Sequence, residues 1–216
     1  NSTVATRIQA YVKTLSTLSV DITATGSYGS TVTSYRTSLD GVTYTAASFT
    51  ASKKLSASGD MTLTVTVTDS RGRTATYTET LTVLDYSYPS IRLFKADRCN
   101  SDGSAAQLDG TNVRYSFEGG VVSLNNKNAL VCVVYYKLAS DTEWTKSESL
   151  PVTSYNLSAT DKVLTQTFDA LASYDLKVRL QDYFYYVEQA VSIGTKGVIM
   201  DFLADGTGIA FGKVAE

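Results

Sequence analysis

Histidine is missing altogether from the 216 residues. Its absence removes the commonest general base near neutral pH and every metal site built on imidazole. Cysteine and proline occur only twice each. Cys99 and Cys132 lack Cys-x-x-Cys spacing, which leaves two readings open: a pair of buried free thiols, or one disulfide within the second half. Charged residues make up 19% of the chain, and the net charge is -2 with no long run of one sign. Nucleic acid and anionic membranes need a basic face, and none is supplied. No apolar stretch approaches the roughly 20 residues of a membrane-spanning helix. Asn1-Ser2-Thr3 has neither the charged nor the apolar region of a signal peptide. A start without Met fits a fragment excised from something longer.

Motifs of catalysis and cofactor binding are missing too. Serine is abundant, but neither Gly-x-Ser-x-Gly nor Ser-x-x-Lys occurs, and there is no histidine to activate a nucleophile. Carboxylate pairs such as Asp141 with Glu143, or Asp182 with Glu188, read as solvated turns and strand faces rather than a glycosidase pair. Asn100-Ser-Asp102-Gly103 and Asp109-Gly110 resemble pieces of a calcium loop but lack the distal Glu, so turn chemistry accounts for them. Gly206-Thr-Gly208-Ile-Ala-Phe-Gly212 matches neither a P-loop nor a dinucleotide fingerprint and reads as a tight turn leading into a strand. The expectation is a protein with no catalytic, cofactor or metal site, and not an enzyme.

What is present is strand-forming material. Hydrophobic residues make up 43% of the chain, enough for real cores, and Thr, Ser, Val and Tyr dominate. In Met61-Thr-Leu-Thr-Val-Thr-Val-Thr68, the apolar Leu63, Val65 and Val67 alternate with threonine, a period of two that separates a buried face from a wet one. Asp69-Ser-Arg-Gly-Arg73 follows as a turn, and alternation resumes from Thr74 to Val83, which predicts an antiparallel hairpin. Ile8, Ala10 and Val12, then Val20, Ile22 and Ala24, alternate in the same way. Val32 to Leu39 runs into Asp40-Gly41, a strong hairpin signal, and returns through Val42 to Thr45. No segment of ten or more residues carries a 3.6-residue period. The predicted fold is all-β: two tandem antiparallel β-sandwiches of the immunoglobulin or fibronectin-III kind.

Asp85-Tyr-Ser-Tyr-Pro89 breaks the alternation, since Pro89 cannot donate to a ladder. The expected domains are therefore 1–85 and a larger 86–216 with a C-terminal strand extension, joined by a short aromatic linker. The two halves repeat one plan. Leu63-x-Val65-x-Val67-x-Asp69 has a counterpart in Leu176-x-Val178-x-Leu180-x-Asp182, and Tyr35-Arg36 one in Tyr136-Lys137. In the second half, Trp144 is expected in the core, and Leu171 with Tyr174 precedes its strand in the manner of a tyrosine corner. Tyr183-Phe184-Tyr185-Tyr186 is the densest aromatic cluster. As a strand it would place Tyr183 and Tyr185 on one face, Phe184 and Tyr186 on the other. Three fates stay open for it: burial against the neighbouring domain, contact with a partner subunit, or stacking on a glycan.

Several motifs together are similar to a known family: Asp85-Tyr-x-x-Pro89, Arg98-Cys-Asn-Ser-Asp-Gly103, Asp109-Gly-Thr111, Asn125-Asn-Lys-Asn128, and above all the closing segment from Val198 to Glu216. Together with the Ser-Leu-Asp-Gly turn and the Thr-Asp-Ser-Arg-Gly-Arg hairpin of the first half, they resemble tail structural proteins of siphophages and prophages of Gram-positive bacteria, a family of unassigned function. The resemblance covers nearly the whole chain. It implies a place in the tail tip, baseplate or fibre of a virion, other tail proteins as partners, a trimeric assembly, and contact with the host surface, including cell-wall glycan. A bacterial surface adhesin or the carbohydrate-binding module of a secreted protein is the alternative. The family has no established active site, so no functional residue carries over.

Overall fold

The computed structural model describes residues 1–105, 110–195, 200–202 and 209–211. Asp109, most of the Gly206–Gly212 stretch and the last five positions lie outside the described residues. The chain divides into two compact units, Asn1–Ser87 with Val122–Asn128 and Tyr88–Val121 with Ala129–Glu216.

Unit 1 opens differently from its alternating sequence. Val4–Ile8 forms a single π-helical turn. The Asn1 side chain accepts the N–H groups of Thr3 and Val4 (3.0 and 3.4 Å), and Val4 and Ile8, four residues apart, bury one face. Gln9 then takes a left-handed conformation, φ 55°, and turns the chain away. Of the strand expected around Ile8, Ala10 and Val12, only β1 (Tyr11–Val12) remains. There follow β2 (Ser19–Asp21), β3 (Val32–Leu39), β4 (Val42–Tyr44), β5 (Ser48–Thr50), β6 (Gly59–Asp69) and β7 (Thr74–Leu84). One sheet has the order β1-β7-β6-β3-β4, and β2-β5 forms the other. The Asp40-Gly41 turn forms as expected, with φ of 47° and 73°. Leu63 and Val65 point into a core with Leu18, Leu39, Leu55 and Leu81.

Unit 2 contains β8 (Ser90–Cys99), β9 (Asn112–Gly120), β10 (Val131–Leu138), β11 (Thr145–Ser149), β12 (Asn156–Val163), β13 (Tyr174–Gln181), β14 (Tyr186–Ile193), β15 (Met200–Phe202) and β16 (Ile209–Phe211). The sheet β11-β10-β13-β14 faces β12-β9-β8, and β15-β16 pair antiparallel. The alternation in β13 buries Leu176, Val178 and Leu180 completely against Phe117, Val134 and Phe168. Both thiols are free and buried, which settles the cysteine question. Tyr174 behaves as a tyrosine corner: its hydroxyl accepts the Asp169 N–H at 3.2 Å, and its ring meets Phe168 edge-on at 5.0 Å. Trp144 departs from expectation. It lies half-buried outside the core, with the Lys177 and Lys137 ammonium groups over its ring at 4.6 and 5.4 Å. A ring that can be covered by two cations on the outer sheet face has less need of the interior.

The internal repeat is visible as topology. β4-β3-β6-β7 in unit 1 and β11-β10-β13-β14 in unit 2 have the same strand order, and β2-β5 corresponds to β9-β12. Even the terminal aspartates match. Asp69 Oδ1 accepts the N–H groups of Arg71 and Arg73 (3.0 and 2.9 Å); Asp182 Oδ1 accepts those of Phe184 and Tyr185 (2.7 and 2.8 Å). Each carboxylate folds the turn that carries the chain into the next strand.

Candidate functional site

Two surfaces collect the features that a partner could recognise. The first is the turn between β13 and β14. The aromatic run is not a strand: residues 182–185 form the turn, and only Tyr186 enters β14. The two-faced arrangement expected from a strand is therefore replaced by a cluster at one end of the sheet. The physical cause is Asp182, buried beneath the turn, whose carboxylate captures two main-chain N–H groups and whose own N–H donates to the Tyr185 carbonyl at 2.9 Å. Tyr183 meets Phe184 edge-on, with ring centroids 6.4 Å apart, and Tyr185 meets Tyr88 edge-on at 4.6 Å. The Arg179 guanidinium lies 4.5 Å over the Tyr186 ring. Tyr88, Tyr183, Tyr185 and Tyr186 remain 61, 42, 39 and 58% exposed. Tyr88 joins this cluster from the segment beside Pro89, where nothing local in the sequence announces its long-range pairing with Tyr185.

Next to this cluster runs a charged ladder. Arg179 and Lys177 both contact Glu188 (2.7 and 3.2 Å). Burial by itself would raise the Glu188 carboxyl, but the hydrogen bonds and charges of Arg179 and Lys177 hold it below the usual carboxylate range. Glu188 is thus paired with cations, and Asp182 is committed to its turn, so the two do not form a carboxylate pair. Asp141 lies in the turn after β10, where its N–H donates to the Leu138 carbonyl and its carbonyl accepts from Lys137. Asp102 accepts the N–H and hydroxyl of Ser104 (2.8 and 2.6 Å), which lower its carboxyl. Asn100 and Gly103 close the same loop with main-chain bonds. Turn chemistry accounts for Asp102-Gly103, as expected, while Asp109 of the second Asp-Gly pair lies outside the described residues. Among the described residues no group of three or more His, Cys, Asp or Glu is placed to hold a metal ion.

The second surface is a groove of about 630 Å³ in unit 1. Residues 20–27 form one wall and 73–77 another, over a floor of Leu63, Val65 and Val67. Tyr77 stands in it 61% exposed. The Asp69–Arg73 ion pair (2.7 Å) closes one end, and Glu79 lines the other. The 73–77 wall is the edge of β7, while the 20–27 wall belongs to β2 only at Val20 and Asp21 and is irregular chain beyond. Among the described residues β1 pairs with β7 only at Val83 and Leu84, and β2 pairs only with β5. Over 74–82 the outer edge of β7 has no strand partner among the described residues.

These surfaces sit on an all-β fold whose sheets follow an immunoglobulin-like order of strands. The chain belongs to the family described as "Siphovirus protein of unknown function (DUF859)", which matches residues 1–216. No curated protein matches it. Among solved structures it is similar to the three N-terminal domains of the bacteriophage RB49 highly immunogenic outer capsid protein Hoc, at 13% identity and TM-score 0.40, covering 86% of this chain and 66% of that one. It is also similar to a Ca²⁺-stabilized adhesin that helps an Antarctic bacterium bind ice, at 17% identity and TM-score 0.41, covering 88% of this chain and 46% of that one. A chimeric titin Z1Z2 tandem matches at 13% identity and TM-score 0.32, covering 86% and 93%. The chain spans less than two thirds of the length of the first two of these.

Proposed function

We propose that the chain is a structural and adhesive module of a siphovirus tail, in the tip, baseplate or fibre, which holds or presents the host-attachment apparatus and performs no catalysis itself. The observation that carries this reading is membership of a siphovirus family along the full 216 residues. Its physical basis is the combination of two stacked-sheet bodies with exposed aromatic side chains on a turn held by a buried aspartate. Rigid aromatics at a loop offer contact area at low entropic cost. The partners proposed are other tail proteins and further copies of the chain, three to an assembly. Immunogold electron microscopy of virions with an antibody raised against this chain tests the reading. Label on the tail is expected; label on the capsid alone contradicts it.

A second reading, glycan recognition, is favoured by one observation: Tyr183, Tyr185 and Tyr186 are each more than a third exposed around a single turn. Sugar rings stack on such faces. Cell-wall glycan pulled down by the chain and lost with Tyr183→Ala and Tyr185→Ala together supports it, while equal retention by the double variant removes it.

A further inference from the structure

The two halves repeat one plan, but the opening strand of the second half, β8, has ten residues where β1 of the first has two. In unit 2, β8 runs antiparallel to β9 from Ser90 to Cys99 and also packs against β14. It thereby closes the side of the sandwich where the two sheets part, and buries Phe94 in the core. The counterparts of β9 and β14 in unit 1 are β2 and β7. β1 meets β7 only at Val83 and Leu84, and along the rest, where a full-length counterpart of β8 would run, lies the 630 Å³ groove. The residues ahead of β1 do not fill it, because Val4 and Ile8 are buried in the π-helical turn and Gln9 reverses the chain. The buried cluster of unit 1 is correspondingly small, eight residues against sixteen in unit 2 among the described residues.

Three properties of the groove specify its occupant. One wall is the unpartnered edge of β7, whose outward N–H and C=O groups are complementary to another extended backbone; the other begins in β2 and continues as irregular chain from Ile22. Its floor is apolar, and a strand presents alternate side chains to such a floor. Its open end carries Glu79, on the same face as Leu63 and Val65 and without an ion pair among the described residues. We propose that unit 1 is an unfinished sandwich completed by a β-strand from a neighbouring polypeptide, an extended segment with apolar residues at alternate positions and a basic residue beside Glu79. Strand addition of this kind joins two chains through main-chain hydrogen bonds, with side-chain pockets providing selectivity. The inference goes beyond the assembly role proposed above, which rests on the family and stands whether or not the groove is filled.

The test uses the full chain and a labelled synthetic peptide with the sequence of Ser90–Cys99, carrying Cys99→Ser, as a strand-shaped probe with Lys95 and two arginines. Saturable binding by fluorescence anisotropy is expected, with new amide-exchange protection at residues 20–27 and 74–79. Tyr77→Asp, at an exposed position, weakens binding about tenfold or more with an unchanged melting temperature. Thr23→Pro, which removes an N–H next to the bonded Ile22, weakens it in the same way, and Tyr28→Ala, outside the groove, leaves it as it was. Absence of saturable binding overturns the proposal, as does binding that protects neither edge. Self-association of the chain that protects both edges without peptide also overturns it, because the occupant is then a second copy.

Discussion

Arg98 binds four main-chain carbonyls at once. Its guanidinium donates to Gly194 and Ala172 (2.7 Å each) and to Gly110 and Asp169 (3.0 Å each), while the Tyr174 ring lies 6.0 Å away. A planar five-donor group can serve four acceptors; an ammonium cannot. Arg98→Lys therefore destabilises unit 2 almost as much as Arg98→Ala, by about 2–3 kcal/mol in urea denaturation. The cysteines make a second residue-scale case. Burial, reinforced by Glu148, pushes the Cys132 thiol up to about 12, and burial raises Cys99 as well. Thiolates are the reactive form, so the folded chain leaves Ellman's reagent untouched at pH 8 and yields two equivalents once urea is added. The carboxylates set the pH dependence. Burial works against Asp69, yet the Arg73 guanidinium and the N–H donors of the turn hold its carboxyl well below the usual range. Lys13 does the same for Asp85, and Ser192 with Lys137 for Asp175. A depressed folded-state value stabilises the native chain above the unfolded value, roughly pH 4, and that stability is lost as pH falls further. The melting temperature is expected to hold from pH 7 to 5 and to drop below 4. In Asp69→Asn, which keeps the turn's acceptor but not the charge, the drop is shallower.

At the scale of elements, period-two alternation was a sufficient guide wherever long strands form. β3, β6, β7 and β13 lie where alternating residues place them, and the Asp40-Gly41 turn follows from two residues that tolerate positive φ. The same signal misled at Ile8 to Val12, because spacing by two and spacing by four coincide over so short a stretch and the Asn1 cap favours the helical turn. It also extended into Tyr183–Tyr186, where one carboxylate outweighs strand propensity. Sheet packing contributes constraints that no pattern announces. A Cβ on Gly119 would come within 2.6 Å of Phe117 Cζ, 3.0 Å of the Ser90 carbonyl oxygen and 3.1 Å of Leu180 Cδ2. Gly119→Ala thus wedges β8 and β9 against the opposite sheet and costs about 1–3 kcal/mol, whereas the same change at exposed Gly29 is limited to the strain of a left-handed alanine, about 1–2 kcal/mol. Thermal denaturation of the two variants side by side separates packing from backbone strain.

On the scale of the whole molecule, the repeat was legible from two short matches, Leu63 to Asp69 with Leu176 to Asp182 and Tyr35-Arg36 with Tyr136-Lys137, because strands in equivalent positions of a sandwich face equivalent burial. The larger second half was legible, but the two-residue opening strand of the first and the groove it leaves were not. Whether a strand such as β8 has a full-length counterpart depends on long-range pairing, and the assignment of Val122–Asn128 to the first unit has no local signature. The aromatic cluster was readable as residues but not as a surface, since Tyr88 joins it from 97 positions before Tyr185. A virion role requires the chain to be built into the particle. Quantitative mass spectrometry of purified siphovirus virions measures this directly. The proposed trimeric tail role predicts a fixed copy number in proportion to the tail proteins, as a multiple of three; a chain abundant in infected cells but missing from the particle contradicts it.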